Sequence, residues 1–155
     1  MGFLVASDIV DLAMQLEQNG EKYYRAVAKK AKAPRTRALF EDLADQEAKH
    51  CKVFGRLAQL VQDRPLMSDQ EWDEYIRYLS TTVQSAFFEG PDKALAAADK
   101  VADEKEAVRM ALGFEKETLL FFYDLRDAVR GEHREFVDKI VAEEKVHLRR
   151  LAAML

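Results

Sequence analysis

Six side chains that could bind metal ions occur as two matching sets in the chain. They are Glu17, Glu47, His50, Glu115, Glu144 and His147. The second set repeats the first at an offset of 97 or 98 residues, and each set ends in a Glu-x-x-His motif. All six fall on helical stripes of apolar residues that should face a protein interior. Because a buried charge is costly unless it is paired, the pattern predicts a metal site.

The charges of the four carboxylates indicate how many ions the site holds. Residues at i and i+3 share a helix face, so each Glu-x-x-His motif presents an oxygen and a nitrogen toward one point. Four negative charges in a low-dielectric core are balanced by two divalent cations. Oxygen donors with one imidazole for each ion favour iron or manganese over a closed structural zinc site. The sequence therefore predicts a dinuclear centre.

Long helices must position these side chains, and few residues in the chain would interrupt a helix. Among 155 residues there are only six glycines and three prolines, which predicts one all-α domain over residues 1–155. Long helices are expected at about 7–32, 34–62, 99–130 and 132–154. Tight turns at Pro34 and Gly131 would make two antiparallel hairpins. Residues 63–98 would then form a long, partly helical crossover of a four-helix bundle.

The six side chains should lie at the same depth in this bundle. In each half, the single Glu precedes the turn by 16 or 17 residues, and the Glu-x-x-His motif follows it by 13 to 16. A rise of about 1.5 Å per residue places all of them roughly 20–25 Å from their turn. We expect Glu47 and Glu144 to bridge two ions. The remaining Glu and His of each half would be terminal ligands of one ion.

Two neighbouring side chains could take part in the chemistry. Tyr24 lies two turns after Glu17 on the same face, so its hydroxyl could hydrogen-bond a ligand or act as a one-electron donor. The alternative is an ordinary tyrosine of the core, and we expect Tyr24 to pack beside the ligands. Phe122 occupies the matching place in the other half, which predicts two unequal metal environments. Cys51 follows His50 directly. A small buried thiol is its usual role, and redox activity is the alternative.

The crossover contains more large apolar side chains than one loop could hide. They are Met67, Trp72, Tyr75, Tyr78, Phe87 and Phe88. They could cover one end of the bundle or form the contact of a homodimer, and we expect a homodimer.

Composition excludes several classes of partner and location. The net charge of −4 is spread along the chain without a basic stripe, so no nucleic-acid partner is expected. No apolar run is long enough to cross a membrane. The N-terminal residues do not resemble a signal peptide, and the single cysteine fits a reducing compartment. We expect a cytoplasmic protein.

Two segments near the single Glu residues resemble a known family. Residues 16–24, LEQNGEKYY, and residues 114–123, FEKETLLFFY, look like the first and third helices of rubrerythrin-like members of the ferritin-like superfamily. The resemblance implies a ferritin-like bundle with two iron ions that handles peroxide, O2 or Fe(II). Rubrerythrins also carry a rubredoxin-type domain with four cysteines, which this sequence lacks, so an external electron donor is implied. Where rubrerythrins have an additional carboxylate near the site, Leu112 and Thr118 lie one turn from Glu115.

Three functions remain open from the sequence. The first is a non-haem di-iron oxidoreductase that oxidises Fe(II) or reduces peroxide or O2. The second is an iron-binding or iron-delivering protein with slow ferroxidase activity. The third is a structural bundle without a working metal site.

Overall fold

Six α-helices and one short 3₁₀ helix form the part of the chain that the computed structural model describes, residues 6–61, 68–85, 91–129 and 131–155; these ranges contain no strand. The helices are α1 Ala6–Lys30, α2 Pro34–Leu60, α3 Asp69–Ser85, α4 Pro91–Lys100, α5 Glu104–Ala128 and α6 Arg134–Ala152. The 3₁₀ helix, Gly131–His133, precedes α6. The predicted all-α class is confirmed. None of the described helices is long and apolar enough to span a membrane.

The four long helices form the two expected hairpins. Helix α1 packs against α2 and α5, and α6 packs against α5 and α2. Glu104, at the start of α5, accepts hydrogen bonds from the backbone N–H groups of Lys32 and Ala33 in the α1–α2 turn, at 2.6 and 3.0 Å. The α1–α2 turn and the start of α5 therefore lie at the same end of the bundle, and α1 and α5 run antiparallel. The crossover must span the length of the bundle, as predicted.

The crossover packs along the bundle. Trp72 of α3 is 1% exposed and belongs to the same apolar cluster as residues of α1, α2, α5 and α6. The Tyr75 hydroxyl donates to the Asp124 carbonyl oxygen of α5 at 3.0 Å, whereas Tyr78 is half exposed. The covering role expected for Trp72 is thus present in a single chain. Met67, Phe87 and Phe88 lie outside the described residues.

Some helix bounds differ from those expected. The third long helix begins at Glu104 and not near residue 99, because Asp103 has an extended backbone and its side chain accepts a hydrogen bond from the Glu106 N–H at 2.8 Å. Asp103 is thus the N-cap of a new helix, and α4 has already ended at Lys100, although no glycine or proline marks the break between the two helices. The crossover therefore extends beyond the expected residue 98. At the second turn, α5 ends at Ala128 and not near residue 130, because Val129 already has an extended backbone; Gly131, with a φ of 62°, begins the 3₁₀ helix that follows.

Two apolar layers make up the core, and the six polar side chains lie between them. One layer, near the α1–α2 turn, includes Tyr23, Phe40 and Phe114. The other, at the far end, includes Ile9 and Phe54 together with the residues of α3. On each of the four long helices, the candidate ligands come between a residue of one layer and a residue of the other. The bundle therefore places the polar layer near mid-length and away from solvent.

Candidate metal centre

The structure brings all six sequence-predicted side chains together. Each is at most 2% exposed. Four of them, Glu17, Glu47, His50 and Glu144, offer ligand atoms that lie within 4.8 Å of one another. A second set with the same property consists of Glu47, Glu115, Glu144 and His147. The two sets share Glu47 and Glu144, the residues predicted as bridges.

Each shared carboxylate directs one oxygen toward each histidine. Glu144 Oε1 lies 2.8 Å from His50 Nδ1, and its Oε2 lies 3.1 Å from His147 Nδ1. Glu47 Oε2 lies 3.9 Å from His50 Nδ1, and its Oε1 lies 3.4 Å from His147 Nδ1. A carboxylate whose two oxygens point at two ligand groups can join two ions. Their roles as bridges remain predictions, and this geometry supports them.

The two unshared carboxylates each lie beside one histidine. Glu17 Oε2 is 3.3 Å from His50 Nδ1, and Glu115 Oε1 is 3.6 Å from His147 Nδ1. The pairs are the ones expected to be terminal ligands, with one carboxylate and one imidazole for each ion.

Two buried oxygens in this layer have no hydrogen-bond partner within the described part of the chain, Glu17 Oε1 and Glu115 Oε2. A buried polar atom without a partner costs about 1–3 kcal/mol, and more when it is charged. The four buried carboxylates beside two imidazoles form a donor set that suits divalent iron or manganese. The residues present therefore fit a pair of metal ions.

Burial makes three of the carboxyl groups hold their protons. It raises the pKa of Glu17 and of Glu47 well above the usual range, and the charges of neighbouring carboxylates add to the effect. The pKa of Glu115 is raised to about 8, first by burial and then by the charge of Glu144. Without a cation, these groups resist ionisation.

Glu144 and the two histidines, in contrast, favour their charged forms. Burial disfavours the charge of Glu144, but hydrogen bonds from Glu115, His147 and His50 hold its pKa below the usual value. Although burial opposes the imidazolium form of His50, its contacts with Glu144 raise the pKa of His50 to about 9. The pKa of His147 is raised as well, by hydrogen bonds to Glu115 and Glu144. In the metal-free protein, protons therefore compensate the charges that metal ions would balance.

Tyr24 contacts one of the candidate ligands. Its hydroxyl donates to Glu115 Oε1 at 2.5 Å, and its ring packs against Phe40 and Phe114. Burial raises the pKa of Tyr24 well above its usual value, so the hydroxyl keeps its proton. Phe122, the matching residue of the other half, packs on Phe54 with ring centroids 5.1 Å apart. The two halves of the site therefore differ in their surroundings.

Sequence reasoning missed two residues at the site. Glu143 Oε2 lies 2.7 Å from His50 Nε2, while the rest of its side chain is largely exposed. Gly20 lies inside α1, where a Cβ atom would come within 2.7 Å of Phe114 Cε1 and 3.6 Å of Glu47 Cγ. An exposed Glu beside a motif gives no sequence signal. A glycine inside a long helical pattern is a signal of close packing that could have been used.

Cys51 is half-buried, and its thiol donates to the Met14 carbonyl oxygen at a sulfur–oxygen distance of 3.6 Å. Burial raises the pKa of Cys51 to about 11, so the unreactive thiol form dominates at neutral pH. This environment favours the packing role over the redox role.

Comparison with known proteins gave one match. The family model described as Rubrerythrin matches residues 8–155, which include all six candidate ligands and leave no room for a separate rubredoxin domain within these 155 residues. Searches of the curated proteins and of the solved structures found no match.

Proposed function

The chain belongs to the rubrerythrin family, and we propose that it is a non-haem dinuclear metal oxidoreductase that oxidises Fe(II) or reduces peroxide or O2. The observation that carries this proposal is the pair of buried ligand sets that share Glu47 and Glu144. Two ligand sets with two shared carboxylates would hold two ions side by side, which would suit reactions that need two electrons at one place.

Two iron ions are the proposed cofactor, and manganese is the alternative. Glu17 with His50, and Glu115 with His147, would be the terminal ligands on the two sides of the shared carboxylates. When bound at these residues, a pair of ferrous ions would supply the two electrons that, with two protons, convert one peroxide molecule to two waters.

The chain itself supplies the surroundings for this chemistry. The apolar layers on either side of the ligands exclude bulk water and strengthen the electrostatic interactions between them. Tyr24 keeps a proton at Glu115 Oε1 through its 2.5 Å hydrogen bond. We propose that this hydroxyl orients Glu115.

The residues near Glu115 favour Fe(II) oxidation over peroxide reduction. Thr118 is 1% exposed and Leu112 is half-buried, so no carboxylate comes from the positions one turn away on α5. An iron-binding or iron-delivering protein with slow ferroxidase activity is therefore the second candidate. Binding of many irons per chain in a large assembly would favour it.

Partners and location are proposed on separate grounds. The described residues hold one cysteine, which is free, so electrons would come from an external donor, and the same feature fits the cytoplasm. We propose a homodimer, for which exposed apolar side chains such as Leu120, 67% exposed, and Tyr78, 54% exposed, are available. Sedimentation of the purified chain tests this assembly.

Anaerobic loading with Fe(II) tests the proposed function. Metal analysis should find about two irons per chain, and stopped-flow absorbance should then show oxidation by O2 or by hydrogen peroxide. Faster oxidation by peroxide would assign a peroxidase-type role. Glu41→Gln, an exposed change on α2, should behave like the parent. The proposal fails if the folded chain binds no metal.

A further inference from the structure

The two histidines of the site differ in what lies on their outer nitrogen. Glu143 Oε2 lies 2.7 Å from His50 Nε2. A carboxylate at this distance favours a proton on Nε2, which would leave Nδ1, the nitrogen that faces Glu17 and Glu144, as the ligand atom for a metal ion. A histidine backed in this way is better oriented and more basic as a ligand.

His147 has no such partner among the described residues. All of its contacts with described carboxylates are made by Nδ1, the nitrogen that faces the site. The repeat places Gln46 at the position that corresponds to Glu143. Gln46 is half-buried, and its side chain hydrogen-bonds Asp42. The two halves of the repeat therefore differ at this position: one has a carboxylate beside the outer nitrogen of its histidine, and the other has an amide.

The two terminal carboxylates also differ, because a tyrosine hydroxyl hydrogen-bonds only one of them. Glu115 Oε1 already accepts the 2.5 Å hydrogen bond from Tyr24, so a metal ion must share or displace that contact. Glu17 is related by the repeat to Glu115, but the residue that corresponds to Tyr24 is Phe122, which has no hydroxyl. Glu17 Oε1 and Glu115 Oε2 both have no hydrogen-bond partner within the described part of the chain, so the difference lies in the other oxygen of each carboxylate. Glu17 Oε2 lies beside His50 Nδ1, whereas Glu115 Oε1 is held by the Tyr24 hydroxyl, which competes with a cation for Glu115 alone.

Both differences favour the same half of the site, and Glu47 and Glu144 belong to both ligand sets. We propose that the two metal positions fill in a fixed order: the position of Glu17 and His50 first, and the position of Glu115 and His147 second. Glu143 is the positioning residue that strengthens the first. This inference rests on the dinuclear site proposed above and adds an order of loading to it.

Titration of the metal-free protein with Co(II) under anaerobic conditions tests the order without any activity measurement. Calorimetry and the visible absorption of bound Co(II) should show two steps of one ion each, with the first at least about tenfold tighter. His147→Ala should keep the tight step and lose the weak one. His50→Ala should lose the tight step.

Exchange of the backing residues tests the role of Glu143. Glu143→Gln should weaken the first step about 10- to 100-fold and leave the second within about twofold. Gln46→Glu offers His147 a carboxylate and should bring the second step closer to the first. Glu135→Gln, which removes an exposed charge from the first turn of α6, is the matched control and should change neither step.

Exchange of the aromatic pair gives an independent check. Tyr24→Phe should strengthen the second step, because Glu115 is released, and Phe122→Tyr should weaken the first. Uptake of two Co(II) ions in one step of equal affinity would overturn the order while leaving the dinuclear site intact. An equal effect of Glu143→Gln on both steps would overturn it too. If no Co(II) binds, the proposed function fails together with the order.

Discussion

The imidazole rings of His50 and His147 stack almost in parallel, with centroids 5.6 Å apart and planes inclined by 19°. They come from α2 and α6, which belong to different hairpins, and both direct Nδ1 toward Glu144. Contacts with carboxylates raise the pKa of both rings and so favour their imidazolium forms in the metal-free protein. Glu144 contacts both rings and balances part of their positive charge. Metal binding and proton binding at this layer must therefore compete.

Glu47→Gln should stabilise the metal-free protein by about 1–3 kcal/mol at neutral pH, because it removes a buried carboxyl group whose pKa is raised well above normal. The unfolded chain ionises Glu47 at neutral pH, whereas the folded protein disfavours that charge. Urea unfolding in the presence of a chelator measures the change. The exposed Glu41→Gln should shift the free energy of unfolding by less than about 0.5 kcal/mol.

The same variant should also lose the stabilisation that metal gives to the parent. Thermal unfolding with and without Mn(II) measures this second effect, since an ion that binds only the folded state raises the melting temperature. A Glu47→Gln protein that is less stable than the parent without metal, yet equally stabilised by metal, would contradict a ligand role for Glu47.

The metal-free protein should lose stability as the pH rises from about 5 to 9. The pKa of Glu115 is raised from 4.5 to about 8, and that of His50 from 6.5 to about 9, so the folded protein binds these protons more tightly than the unfolded chain. The His50 contribution is fully present below about pH 6.5 and is lost as the pH passes 9. The Glu115 contribution declines from about pH 4.5 and is lost through pH 8.

Urea midpoints at pH 5.5, 7 and 8.5 with a chelator measure this dependence. With metal bound, the decline should be shallower or reversed, because the cations replace the protons. A midpoint that rises between pH 5.5 and 8.5 without metal would show that the carboxyl groups and histidines are not coupled in the way the contacts indicate.

Much of the site could be predicted because the chain repeats itself. Glu17 and Glu115 are isolated charges in apolar stripes, and their distances from the two turns predict the same depth for both. The apolar periodicity of the helices predicts the buried positions of all six side chains. Helix existence was equally readable, since Pro34 and Gly131 are strong local signals.

The features that the sequence did not show depend on contacts between helices. Glu143 is an ordinary exposed Glu until α2 places His50 Nε2 beside it. The break at Asp103 was missed because an Asp cap without glycine or proline looks like a helical residue. The sequence allowed Trp72 to lie in the bundle or in a dimer contact. The position of α3 against the far apolar layer places Trp72 in the bundle.

Trp72→Ala should cost about 3–5 kcal/mol, because a fully buried tryptophan that joins the crossover to the bundle is replaced by a cavity. Urea unfolding followed by circular dichroism measures the loss. Tyr78→Ala, at a half-exposed position of the same helix, should cost less than about 1 kcal/mol. If Trp72→Ala left stability unchanged but turned a dimer into a monomer, Trp72 would belong to an interface and not to the core.

Gly20→Ala and Gly55→Ala should have opposite effects on stability. Both glycines lie inside helices, where alanine is favoured by about 1 kcal/mol. At Gly55 the added methyl would lie 3.8 Å from Met14 Cε, an ordinary contact, so the propensity gain should be realised. At Gly20 it would lie 2.7 Å from Phe114 Cε1, and the rigid ring must move, at a cost of about 1–3 kcal/mol that should exceed the gain.

Metal affinity separates a local effect of Gly20→Ala from a general loss of stability. Phe114 directly precedes Glu115, so displacement of its ring should reach this candidate ligand, whereas the added methyl would make only an ordinary contact with Glu47 Cγ at 3.6 Å. Co(II) binding should therefore weaken in Gly20→Ala and stay unchanged in Gly55→Ala. Equal Co(II) affinity in the two variants would mean that the close approach of α1 and α5 at Gly20 does not help to position the site.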